Sequence, residues 1–99
     1  MAKMRYDIIC APEAVDDFKR LNARDRATTR DALEMHLRPE PEQVSKSRIK
    51  RLRAVNHPQY RLRIGEFRIF YDVTEFAVEV LAIVPKSQAP LWLEKFGEK

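Results

Sequence analysis

"YRLRIGEFRIFYDV", residues 60–73, decides how the chain folds. Tyr60, Leu62 and Ile64 alternate with Arg61 and Arg63. After Gly65-Glu66, the residues Phe67, Ile69, Tyr71 and Val73 alternate with Arg68, Phe70 and Asp72. A period of two marks strands with one buried face, and Gly at the first position of a two-residue loop suits a type II′ hairpin turn. With that turn, Ile64 faces Phe67, Arg63 faces Arg68 and Arg61 faces Phe70. Like charges opposed across a ladder cost about 0.2–1 kcal/mol. A bound polyanion reverses that cost, because two guanidinium forks grip one phosphate.

The rest of the chain builds a sheet and helices around this hairpin. "RYDIICA" (5–11) reads as a first strand. "PEAVDDFKRL" (12–21) reads as a helix, with Pro in its first turn, acids early and bases late. A second helix is expected from about Asn22 to Leu37, ended by Pro39 and Pro41. A short strand through "RIKRLRA" follows, then the hairpin and a third strand of the meander, "FAVEVLAIV" (76–84), apolar on both faces as a central strand should be. "SQAPLWLEKFG" reads as a C-terminal helix with Ser87 as N-cap, Pro90 in the first turn and Gly97 as the stop. The expected architecture is α+β, in the order β-α-α-β-β-β-α. An antiparallel-rich twisted sheet carries the helical hairpin over Leu62, Ile64, Ile69, Tyr71, Val78 and Val80, and leaves the other face open.

The 99 residues and 44% apolar content describe one domain, 1–99, with a single core. The one cysteine, Cys10, permits no internal disulfide. No apolar run approaches a membrane span, and "MAKMRYDIICAPE" is too polar for a secretory leader, so a cytoplasmic protein is expected. Charge is unevenly spread. Lys46, Arg48, Lys50, Arg51, Arg53, Arg61, Arg63 and Arg68 share their stretch with a single acid, Glu66. Such a patch suits an anionic partner. A competing reading has Glu79 neutralise Arg61 and Arg68 on the surface. Phe70 is either a stacking platform for a base or packing for the C-terminal helix beside Leu81 and Ile83. One cysteine and two distant histidines give no metal-ligand spacing, and no cofactor motif occurs.

The hairpin sequence, followed by "VEVLAIVPK" and set in this element order, resembles the RelE/ParE superfamily of bacterial toxins along essentially the whole chain. The resemblance implies a type II toxin–antitoxin module whose antitoxin wraps the toxin, with operator DNA contacted only through that complex. The RelE-like branch implies a nuclease that enters the ribosome and cuts messenger RNA; the ParE-like branch implies a gyrase poison. A nuclease-inactive co-repressor is the third reading. By the resemblance, Arg61, Arg63 and Arg68 stabilise the phosphorane, and Lys86 stands for the basic residue after the last strand. Arg48, Lys50, Arg51, Arg53 and Phe70 are the further RNA-binding candidates. Ser87 falls where the nuclease branch has an arginine, and Trp92 or Leu93 where it has a tyrosine. Arginine is a poor base, with a pKa above about 12. Lysine among other cations is a better one, which makes Lys86 the proton-transfer candidate, with loop residue His57 as a rival. Asp72 is read as a counter-charge for the arginines, and His36 as a helix-terminal residue.

Overall fold

The structure, a computed structural model, describes residues 5–99. The first four residues of the stretch inspected for a leader lie outside the described residues. Five strands form one sheet: β1 (Asp7–Cys10), β2 (Ile49–Arg51), β3 (Tyr60–Ile64), β4 (Phe67–Val73) and β5 (Ala77–Pro85), in the spatial order β1-β5-β4-β3-β2. β2, β3, β4 and β5 pair antiparallel, and β1 lies parallel to β5. The helices are α1 (Pro12–Arg20), α2 (Ala23–Ala32) and α3 (Ala89–Phe96). α2 runs on into a π-helical turn, Leu33–Leu37, and α3 follows a 3-10 turn, Lys86–Gln88.

Local chemistry explains most of these boundaries. Pro12 opens α1, where its missing N–H costs nothing. The side chain of Asn22 caps α2 by accepting from the Asp25 N–H at 2.8 Å. α3 has no side-chain cap: Gln88 holds the N-cap position and Ser87 lies within the preceding 3-10 turn, because that turn displaces the expected start. Gly65 takes φ +53° while no non-glycine residue among the described residues has positive φ, the pattern of a II′ turn.

The two faces of the sheet hold separate cores. On one face α1, α2 and the π turn cover Leu62, Ile69, Tyr71, Val78 and Val80, joined by Ala14, Leu33, Leu37, Ile49 and Ile83. Tyr71 is fully buried and donates to the Pro41 carbonyl at 2.6 Å, with its ring stacked on Tyr60. The opposite face is only half open. α3 lies across Phe70, Ala82 and Val84, with Trp92 stacked on Phe70 at 4.8 Å and 4°.

One irregularity corrects the expected assignment of β5. Phe70 pairs with Ala82 but Tyr71 pairs with Val80, so Leu81 is an extra residue. A bulge of this kind reverses the alternation beyond it. Ile83 therefore enters the helix-side core, and Ala82 and Val84 take the face beneath α3. Glu79 lies opposite Asp72, four residues along β4 from Arg68, rather than beside Arg61 and Arg68.

Candidate phosphate-binding site

The hairpin register is the one its turn dictates: Arg61 opposite Phe70, Arg63 opposite Arg68 and Ile64 opposite Phe67. β2 adds a second like-charge pair, since Lys50 lies opposite Arg61. Lys50, Arg61, Arg63 and Arg68 thus share the sheet face that α3 leaves uncovered.

Their environments differ. Arg63 and Lys50 are exposed, Arg61 is half-buried, and Arg68 is buried, at 8% exposure. Arg68 spends one terminal nitrogen on the carbonyls of Gly65 and Phe67, both at 3.0 Å, which ties its guanidinium to the turn. Arg61 Nε is buried without a hydrogen-bond partner. Burial lowers the Arg61 pKa from the ordinary arginine range, and the charges of Arg68 and Arg63 lower it further. Among the described residues no carboxylate lies at ion-pair distance from Lys50, Arg61, Arg63 or Arg68. The expected neutralisation by Glu79 does not form, because Glu79 lies opposite Asp72, four residues along β4 from Arg68. Lys86 enters from the turn side: its N–H donates to the Glu66 carbonyl at 2.7 Å, beside the Gly65 carbonyl that Arg68 holds, and its side chain is exposed.

Other candidates fall elsewhere. Phe70 is fully buried under Trp92, so it packs α3 and offers no ring to a base. Arg51 sits on the helix side of β2 with its guanidinium 5.0 Å from the Tyr60 ring centre, because one residue along a strand reverses the face. Arg48 lines a cavity with Met35 and His36 and helps lower the His36 pKa, after burial, so its side chain is turned from the arginine cluster. Arg53 is exposed past the end of β2, in a groove with Leu93 and Lys99. His57 does not join the cluster. It bonds Asp72 at 3.0 Å, and the other oxygen of Asp72 accepts from the Gln59 N–H at 2.7 Å. Asp72 is therefore a clasp at the hairpin's open end rather than a counter-charge for the arginines. Among the described residues no group of three His, Cys, Asp or Glu side chains is placed to hold a metal, and no helix is long and apolar enough to cross a membrane.

The family profile described as ParE toxin of type II toxin-antitoxin system, parDE, matches residues 8–90. The chain belongs to the ParE toxin family. As a ParE-family toxin it is the toxin component of a type II toxin–antitoxin module. A search of curated protein sequences finds no match. Several solved structures share the toxin's fold. The toxin-antitoxin complex RelBE2 from Mycobacterium tuberculosis aligns with TM-score 0.72 and 22% identity over 85% of this chain and 94% of that one. The RelB-RelE complex from Methanococcus jannaschii gives 0.64 and 18% over 85% and 96%. The YoeB dimer from Staphylococcus aureus gives 0.53 and 19% over 82% and 94%. The likeness to these chains is one of fold.

Proposed function

We propose that this ParE-family toxin is a ribosome-dependent endoribonuclease that cuts messenger RNA and so blocks translation. The observation that carries the reading is the arginine cluster: like charges opposed in register, one buried Nε unpartnered, and no carboxylate set against them. A phosphate supplies what the cluster lacks. Its oxygens accept from the terminal nitrogens of Arg61 and Arg63, while Arg68, held by the turn, adds a fixed positive charge behind them.

In the reaction the 2′-oxygen attacks the adjacent phosphorus after losing its proton, and a five-coordinate phosphorane gathers negative charge. The P–O5′ bond then breaks and the departing oxygen takes up a proton, leaving a 2′,3′-cyclic phosphate and a 5′-hydroxyl. The arginines stabilise the phosphorane. Arg68 is preorganised, because the Gly65 and Phe67 carbonyls hold its guanidinium before substrate arrives. Lys86, exposed beside the same turn, is assigned the proton transfers. Lys50 and Arg53 extend the cationic track along β2. The reading implies a cytoplasmic protein whose partners are a cognate antitoxin, the ribosome and messenger RNA, with operator DNA reached only through the antitoxin complex.

A second reading, inhibition of DNA gyrase, is favoured by the family description and by Trp92 and Leu93, which pack against the second core where a hydroxyl acid or base would be needed. Expression of the chain alone, with message ends mapped by primer extension, separates the two. The nuclease reading predicts growth arrest with new cuts inside translated codons. Arrest with intact messages and broken DNA overturns it in favour of gyrase.

A further inference from the structure

The cationic face does not end at the sheet edge. Lys50, which lies opposite Arg61 in β2, also lines a groove of about 610 Å³ between the loop that follows β2 and α3. Its floor is aliphatic: Val55 with Leu52 and Leu93, the last two packed on the second core. Backbone contacts fix the walls. The Leu52 N–H donates to the Gln59 carbonyl at 2.8 Å, and Glu98 exchanges N–H-to-carbonyl bonds with His57 at 2.8 and 3.1 Å. α3 ends so close to the loop that a Cβ at Gly97 would lie 2.9 Å from Val55. Lys50, Arg53 and Lys99 are exposed on the rim, and Glu94 is the one acidic side chain among the described residues that line the groove. None of these three cations comes within ion-pair distance of the Glu94 carboxylate. An acid left unpaired among cations has both oxygens available to accept from a ligand.

We infer that this groove is a base subsite for the nucleotide next to the bound phosphate, and that the base it takes is guanine. The inference rests on the arginine cluster as a phosphate site and deepens the nuclease reading by naming a preferred base. Unstacked bases of single-stranded RNA are read on their Watson–Crick edges while an apolar surface covers their faces. Leu52, Val55 and Leu93 supply that surface, and Glu94 supplies the reader. Among the four RNA bases only guanine presents two neighbouring donors on that edge, N1–H and the 2-amino group, and one carboxylate accepts both. Adenine and cytosine set a ring-nitrogen lone pair against a carboxylate oxygen, and uracil sets a carbonyl there, so each leaves an acceptor without a donor. Lys50 and Arg53 attract the flanking phosphates. The backbone of Lys50 stands one strand spacing, about 4.8 Å, from that of Arg61, which makes the groove continuous with the phosphate site.

The probes are three end-labelled five-nucleotide RNAs, oligouridine with guanosine, inosine or adenosine at the centre. All carry the same phosphates, so the arginine cluster binds them alike and differences in affinity report the base. By fluorescence anisotropy the guanosine RNA should bind about tenfold tighter than the adenosine RNA, as one bidentate pair gives, with inosine, which lacks the 2-amino group, in between. Glu94→Gln, a change at an exposed position, should bring the three within about twofold of one another. Equal affinity of the wild-type chain for the three RNAs, a preference for adenosine, or a guanosine preference that survives in Glu94→Gln overturns the base subsite. No binding to any of them overturns it together with the phosphate site. The nuclease reading is judged separately by message ends in cells. Cuts there without a guanosine preference in the binding assay keep the nuclease and remove the subsite; a guanosine preference with intact messages does the reverse.

Discussion

Replacing Arg61 with Met should stabilise the fold while abolishing function. Met keeps the apolar stem of the side chain and removes the charge together with the buried Nε that has no partner. Leaving a buried donor unsatisfied costs about 1–3 kcal/mol. An opposed like-charge pair, here Lys50 across from Arg61, costs about 0.2–1 kcal/mol. Arg61 is half-buried, so solvent relieves part of both penalties, and a net gain near the low end, about 1 kcal/mol, is expected. For a domain of this size that raises Tm by about 4–8 °C. Calorimetry at low salt reads the gain, and near 1 M salt the difference should narrow as the repulsion is screened. In the same variant growth arrest should disappear. Arg61→Met melting at or below wild type would refute the argument that the cluster is held against the interest of the fold.

Further outcomes follow from individual contacts. Phe70→Leu should lower stability by about 1–1.5 kcal/mol by loosening the stack with Trp92, yet leave RNA affinity unchanged within twofold, as measured by denaturant titration and fluorescence anisotropy. Gly65→Ala should cost about 1 kcal/mol, because φ is +53° although an added Cβ meets nothing within 4 Å; a neutral result in urea would deny the turn assignment. Glu34 accepts two bonds from Arg38, at 2.8 and 2.7 Å, and these hold its pKa below the usual carboxylate value. Its contribution is therefore present above the unfolded-state pKa and lost as pH falls through the depressed folded value. Glu34→Gln should accordingly flatten the acid limb of a Tm-against-pH curve below about pH 4.5.

Much of this fold is legible in the chain where one local rule decides the outcome. Gly65-Glu66 specifies the turn, the turn specifies the register, and the register puts Arg63 against Arg68 and Tyr71 in the core. Pro12 and Asn22 mark helix boundaries for equally local reasons, whereas Gly97 ends α3 at an ordinary φ of −67° in a place where a Cβ would meet the Leu93 carbonyl and Val55. What escapes is what depends on the third dimension. "VEVLAIV" is apolar on both faces, so nothing in it signals that Leu81 is an extra residue, and the reversal of Ile83 follows from that one bulge. The face opposite the helical hairpin reads as open because α3 is too short for its docking site to be read from its pattern; once it lies on Phe70, that residue is core. For the site, the arginines of the hairpin are found by arithmetic, whereas Arg51 and Arg48 in the short β2 region are not. Three residues of strand give too little alternation to show that Arg51 faces Tyr60 and that Arg48 turns towards His36.

The salt dependence of single-stranded RNA affinity tests the convergence of the arginines most directly. If Arg61, Arg63 and Arg68 meet the phosphate backbone together, the slope of log affinity against log salt should fall in magnitude by about 0.7 for each one replaced by Met, since each releases one condensed counterion less. A slope in Arg61→Met or Arg63→Met equal to that of the wild-type chain, at any affinity, would contradict it.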